Sequence, residues 1–350
     1  MILAELIPEH FYTDRPDILL WLFAAVAIGM LVYGADRLVG SAVHLARAVG
    51  LSTVIIGATI VSLGTTSPEA CVSVMAAMGG KSGLALGNAV GSVICDTALV
   101  FGLCCCLVKL PKDQFILRRH GWLQLGSGVL LAGVIGALAI LAGGIEGVEI
   151  PRVIGMVFLA LLIAYMAISV RWAKQHPELL GDEAHAGEGE KISSSVVLKH
   201  LILLVIGLVF VLVGADVMVG SVGVLCRRYG VPQDVLAVTL VAFGTSLPEL
   251  VTAIAAIIKG HPELLVGNVI GADILNVLFV VGASATAGSL GVPPLFYYLH
   301  IPMMLLVLVI LRVFIAWRGE TFKRWQGIPL LLLFVGYYVI LGALRLTSHM

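Results

Sequence analysis

The sequence predicts an all-α polytopic membrane protein with ten transmembrane helices in two inverted five-helix repeats, helices 2, 3, 7 and 8 being broken. Three observations carry that expectation. Hydrophobic residues make up 60% of the chain and charged residues 12%, with a mean hydropathy of +1.08, which excludes a soluble domain. Apolar runs of about 20 residues follow one another, each long enough to cross a hydrocarbon core. The chain also repeats itself. Gly64-Thr65-Thr66-Ser67-Pro68-Glu69 returns 180 residues later as Gly244-Thr245-Ser246-Leu247-Pro248-Glu249. The same offset aligns Gly34-Ala35-Asp36 with Gly214-Ala215-Asp216, Gly87-Asn88 with Gly267-Asn268, and Asp96 with Asn276. Such self-similarity marks an internal duplication.

In chain order, residues 1–16 form a mildly acidic leader without the basic and apolar regions of a cleaved signal. Helices are expected at about 17–48, 52–79, 83–108, 120–142 and 151–173, and again at 197–229, 233–259, 263–286, 295–317 and 325–345. The first repeat is then 1–173 and the second 197–350, joined by a polar stretch at 174–196 that carries Pro177, several glycines and a triple serine. Lys109, Lys112, Arg118 and Arg119 lie between helices 3 and 4, Arg171 and Lys174 follow helix 5, and Arg318, Lys323 and Arg324 lie between helices 9 and 10. The 4–5 loop instead holds Glu146 and Glu149. Basic loops face the cytoplasm, which places the linker inside and both termini outside. Arg227-Arg228, at the outer end of helix 6, departs from this pattern. Five spans per copy is an odd number, so the second copy enters from the opposite side, as in many secondary transporters.

Each repeat carries a glutamate deep in an apolar run behind a helix breaker. Proline lacks an N–H, so a carbonyl one turn earlier loses its helical partner. Such carbonyls, and the hydroxyls of Thr65, Thr66, Thr245 and Ser246, put oxygens at the depth of Glu69 and Glu249. Helices 3 and 8 add Ser92 and Asp96, and Asn276, beside small-residue stretches that permit close approach. The set is all oxygen, which suits hard cations such as Ca²⁺ and Na⁺ rather than Zn²⁺ or Cu. One Gly–Pro motif alone would mark only a kink. Two copies in inverted repeats, each with a midplane carboxylate, point to a functional site, because buried charge in a membrane is costly. Asp36 and Asp216 fall near an interface and are read as structural; Asp273 stands where the first repeat has Val93 and receives no role. The six cysteines contain no CxxC pair and read as small buried hydrophobes, and no histidine ligand cluster occurs.

At these residues the chain resembles the cation/Ca²⁺ exchanger superfamily, specifically its prokaryotic Na⁺/Ca²⁺ exchanger branch. The resemblance rests on Gly64–Glu69 with Gly87–Asp96 and on Gly244–Glu249 with Gly267–Asn276, and extends to Arg324-Trp325-Gln326-Gly327. It implies that helices 2, 3, 7 and 8 surround the ion sites while long helices 1 and 6 slide across them. It further implies the ligand set Glu69, Glu249, Thr65, Thr66, Thr245, Ser246, Ser92, Asp96 and Asn276, with backbone carbonyls near Ser62 and Ala242. The chain departs from the family pattern at Thr66, Ser67 and Ala272, and in carrying Asp96 and Asn276 in exchanged positions. The function so implied is a secondary antiporter that exchanges Na⁺ for Ca²⁺ by alternating access. The alternative is H⁺/Ca²⁺ (or other cation) exchange on the same carboxylates. An intramembrane enzyme is disfavoured, since no nucleophile, metal-binding histidines or cofactor loop accompanies the acids. No cofactor and no nucleic-acid partner are expected, and the monomer is expected to function in the cell membrane.

Overall fold

A computed structural model describes Ile7 and residues 10–49, 53–112, 116–175, 194–229 and 233–348; for 233–245 the description covers the backbone course and not the side chains. All ten predicted helical segments are helical, to within four residues at each end. A short helix α1 (His10–Thr13) precedes α2 (Asp17–Val49). The second segment comprises α3 (Thr53–Ile56), the wide π-helical turn π1 (Gly57–Val61), α4 (Ser62–Thr65) and α5 (Ser67–Met78). The third is α6 (Ser82–Ile94), π2 (Cys95–Phe101) and α7 (Gly102–Leu107), followed by α8 (Ile116–Ala142) and α9 (Arg152–Gln175). Then come α10 (Ser194–Arg228), α11 (Gln233–Ile258), and α12 (Pro262–Leu275) with π3 (Asn276–Val281) and α13 (Gly282–Ala287). The chain ends in π4 (Phe296–His300), α14 (Ile301–Ala316), and α15 (Gly327–Ser348) behind a 3₁₀ turn at Arg324–Gln326. Among the described residues eight helices are long and apolar enough to cross a membrane, and nine with the bent α3–α5 segment. The predicted linker lies mostly in 176–193, outside the described residues.

The prediction of four broken helices requires correction. Among the described residues only the second segment is interrupted, bending by 42° at Thr66 between α4 and α5. Pro248 sits inside the continuous helix α11. A missing N–H costs one hydrogen bond, and packing on neighbouring helices can hold the remaining turns together. The third and eighth segments widen into π2 and π3 instead of breaking. The two wide turns begin at Cys95 and Asn276, bringing Asp96 and Asn276 into corresponding places. Such insertions in a helix are frequent at functional sites.

Among the described apolar spans 262–287 is the most enclosed, and 195–225 is the most exposed. Packing around α12 depends on absent side chains. A Cβ on Gly267 would run into the Val54 carbonyl, one on Gly271 into the Ala58 carbonyl, and one on Gly57 into Leu264 O. The α12 backbone therefore lies directly on α3 and π1. The outer pair, α2 and α10, meets in the same way at Gly34 and Gly207, where either Cβ would come within 2.8 Å of the partner backbone.

Loops gather at two ends. Antiparallel strands β1 (Glu149–Ile150) and β2 (Leu290–Gly291) join the 4–5 and 8–9 loops. At the opposite end of α8, a bridge between Pro111 and Thr321 joins the basic 3–4 and 9–10 loops. There Lys112 Nζ donates to Trp317 O at 3.3 Å and stands 4.7 Å from the Phe322 ring centre, and its burial pulls the ammonium pKa below the ordinary lysine value. Arg228, part of the exception to the charge pattern, is paired with Asp17 and donates to Thr13 O, so its charge is locally offset.

Candidate ion-binding site

The bend at Thr66 aims the end of α4 and the start of α5 into the centre of the molecule. Ser62, Thr65, Thr66 and Glu69 from this segment, Ser92 and Asp96 from α6 and π2, Ser246 and Glu249 from α11, and Asn276 from π3 are all at most 3% exposed. Ala242 and Thr245 lie outside the residues whose side chains are described. The two halves interlock here. Glu69 lies near enough to Glu249 and Asp96 for their charges to repel, and the Thr65 hydroxyl sits beside the Glu249 carboxylate. Ser246 stands beside Asp96, whose Oδ2 accepts a 3.4 Å hydrogen bond from Asn276 Nδ2.

Among the described residues most of these groups lack partners. Both carboxylate oxygens of Glu69, Oε2 of Glu249, Oδ1 of Asp96, Oδ1 of Asn276 and the hydroxyls of Thr66, Ser92 and Ser246 are buried without a hydrogen bond. A buried polar atom left unpaired costs about 1–3 kcal/mol, and a charged one more. Native proteins concentrate such atoms only where something else satisfies them. Hard cations suit the atoms of this set, since all are oxygens. Among the described residues no three His, Cys, Asp or Glu side chains converge on one point by themselves. An ion held here therefore also needs the hydroxyl, amide and carbonyl oxygens around the acids.

Sequence reasoning missed a second polar group beside this one. Asp273 is fully buried, and its Oδ2 accepts from Thr97 Oγ1 and from Gln124 Nε2 of α8, while Oδ1 has no partner. Asp273 also lies close enough to act electrostatically on Asp96. The signal was present, because Gln124 is a polar residue within an apolar span and such residues face a protein interior. Asn88 Nδ2 bridges Glu69 O at 3.3 Å and Ser73 Oγ at 3.0 Å, fixing the turn that carries the glutamate. Its counterpart Asn268 finds no side-chain partner, and the position equivalent to Ser73 is Ala253. Asp36 pairs with Lys259 at 2.7 Å and Asp216 accepts from the Ile7 N–H at 3.1 Å, ties between segments rather than site ligands.

Tyr165 of α9 steadies the wide turn before the bend: its hydroxyl donates to Ala58 O at 3.0 Å and lies 3.2 Å from His120 Nδ1. Tyr165→Phe should remove that cross-helix bond at a cost of about 0.5–1.5 kcal/mol. The expected result is a lower thermal midpoint in detergent, measured by fluorescence-detected size-exclusion chromatography after heating.

A sequence model of the family described as "Sodium/calcium exchanger protein" matches residues 19–171 and again 199–343. The chain belongs to the sodium/calcium exchanger family. This exchanger-family protein is thus a multi-pass membrane transporter and not an enzyme. It is 33% identical over 323 residues to an uncharacterized membrane protein of Methanocaldococcus jannaschii, covering 91% of this chain and 95% of that protein. It is 29% identical over 344 residues to the sodium/calcium exchanger MaX1 of Methanosarcina acetivorans, covering 92% and 98%. Among solved structures it resembles the sodium-calcium exchanger NCX_Mj soaked with Na⁺ and Sr²⁺, with a TM-score of 0.76 at 27% identity over 93% of this chain and 99% of that one.

Proposed function

We propose that this exchanger-family protein moves Ca²⁺ in one direction against Na⁺ in the other by alternating access. Ca²⁺ bridges Glu69 and Glu249, and Na⁺ occupies overlapping positions built from Asp96, Asn276, Ser92, Ser246, Thr65, Thr66, Thr245 and the carbonyls near Ser62 and Ala242. The observation that carries this reading is the cluster of unpartnered buried oxygens contributed by both halves. Three acids in one dry site cannot all remain charged without cations. Either ion load neutralises them, while an unloaded site resists the movement, which makes transport an exchange. Ten spans in two inverted halves, 1–173 and 197–350, with both termini outside, complete the arrangement; α11 supplies the tenth span. The loop pairing supports the inversion, since the 3–4 loop and its repeat equivalent, the 8–9 loop, sit at opposite ends of α8.

H⁺ in place of Na⁺ is the second reading. Ala272 supplies no hydroxyl, and Asp273 brings a further carboxyl beside Asp96. Reconstituted protein should take up radiolabelled Ca²⁺ when a Na⁺ gradient is imposed and continue to do so after the pH gradient is collapsed. Uptake that follows the pH gradient and ignores Na⁺ would establish the second reading and remove the first.

A further inference from the structure

Arg312 is a cation inside a membrane helix with no counter-charge among the described residues. It lies one turn before the end of α14, is 8% exposed, and its Nε and Nη1 have no hydrogen-bond partner. Its guanidinium carbon stands 4.2 Å from the ring centre of Trp122 on α8, which orients the group but leaves the edge N–H donors free. Arg118, at the start of α8, is near enough for the two positive charges to repel. Among the described residues neither arginine forms an ion pair. Two adjacent cations at a membrane interface, one buried, are a costly arrangement unless an anion completes it.

An apolar groove leads away from this pair between the same two helices. It encloses about 450 Å³ and is lined by Ala132, Ile135 and Gly136 of α8 and Ile301, Leu305 and Val309 of α14. The helices run antiparallel, with Gly121 against Arg312 and Ile315, and Gly128 against Met304 and Leu308. Val309 is one turn from Arg312, roughly 4.5 Å along the axis, so the near end of the groove lies one turn from the arginine on the side toward the membrane interior. Trp122 and Val309 are exposed on the outer face. The same end carries the basic loops joined at Pro111 and Thr321.

We propose that this is a binding site for one anionic phospholipid, its phosphate held by Arg312 and Arg118 and an acyl chain lying in the α8–α14 groove. A guanidinium edge matches a phosphate in a bidentate manner, and basic pockets between transmembrane helices on the cytoplasmic side suit lipid headgroups. The shared chemistry with free phosphate is the anion; the groove beside it selects the lipid.

The test uses the full chain in neutral detergent with phosphatidylglycerol, phosphatidylcholine or inorganic phosphate added, reading the thermal midpoint. Phosphatidylglycerol should raise the midpoint of the wild type, and phosphatidylcholine should raise it less. Arg312→Gln should need about tenfold more phosphatidylglycerol for the same shift, the loss expected from one charge-assisted hydrogen bond. Arg118→Gln, on the exposed side, should shift the dose in the same direction, and Arg318→Gln should behave as wild type. If Arg312→Gln fails to fold, the Arg118→Gln result decides. Equal responses to both lipids, or an undiminished phosphatidylglycerol response in the arginine variants, would overturn the proposal. Full stabilisation by inorganic phosphate without lipid would also overturn it in favour of a free anion.

Discussion

Glu69→Gln and Glu249→Gln should each lower Na⁺-driven Ca²⁺ uptake into proteoliposomes by a factor of about 10² to a few times 10³. The estimate follows from the cost of removing one partner of a buried charge contact, about 3–5 kcal/mol, at 1.4 kcal/mol per decade. The same substitutions should not damage the fold. Each removes one acid from a cluster in which Glu69, Glu249 and Asp96 repel one another, so without Ca²⁺ the variants should melt at or above the wild-type midpoint. If the site binds Ca²⁺ as proposed, added Ca²⁺ at free concentration c should stabilise the wild type by RT ln(1 + c/Kd), and that increment should vanish in both variants. Loss of transport with loss of Ca²⁺-dependent stabilisation would assign the carboxylates to the ion. Loss of transport with an unchanged Ca²⁺ shift would move the ion elsewhere.

Gly267→Ala and Gly271→Ala should be among the most damaging single methyl additions at the described glycines. In each case the new Cβ meets backbone, the carbonyls of Val54 and Ala58, and backbone cannot turn aside as a side chain can. Overpacking in a tight core costs about 1–3 kcal/mol and occasionally more. Because π1 leads directly into Ser62–Thr66, a displaced crossing also shifts the first half of the site. Both variants should show a lower thermal midpoint and reduced Ca²⁺ stabilisation. Gly126→Ala on α8 is the control, since its Cβ meets nothing within 4 Å among the described residues. Alanine there should be neutral or slightly stabilising through helix propensity. Equal behaviour of the three variants would contradict the close crossing.

The helices were legible because membrane spans are written as length and polarity, which survive without knowledge of neighbours. Glu69, Glu249, Asp96 and Asn276 were legible because the duplication displays each against its mate. Residues without a mate were harder to read. Gln124 corresponds to Met304 and Asp273 to Val93, so the repeat offered no pairing; the one hint was a polar Gln124 within an apolar span, and the contact itself shows only in the structure. The fate of Pro248 was not legible either. Its sequence context nearly matches that of Pro68, yet one helix bends and the other runs through, a choice made by tertiary packing rather than by the proline.

The glycine contact between α2 and α10 bears on leakage. Two rods touching main chain to main chain at Gly34 and Gly207 cannot separate without losing that seam. In the proposed cycle any excursion of one drags the other, so the opening of a route to one compartment is tied to the sealing of the route to the opposite one. In that cycle slippage, in which Na⁺ runs down its gradient with no Ca²⁺ moved, would be suppressed by mechanics as well as by charge.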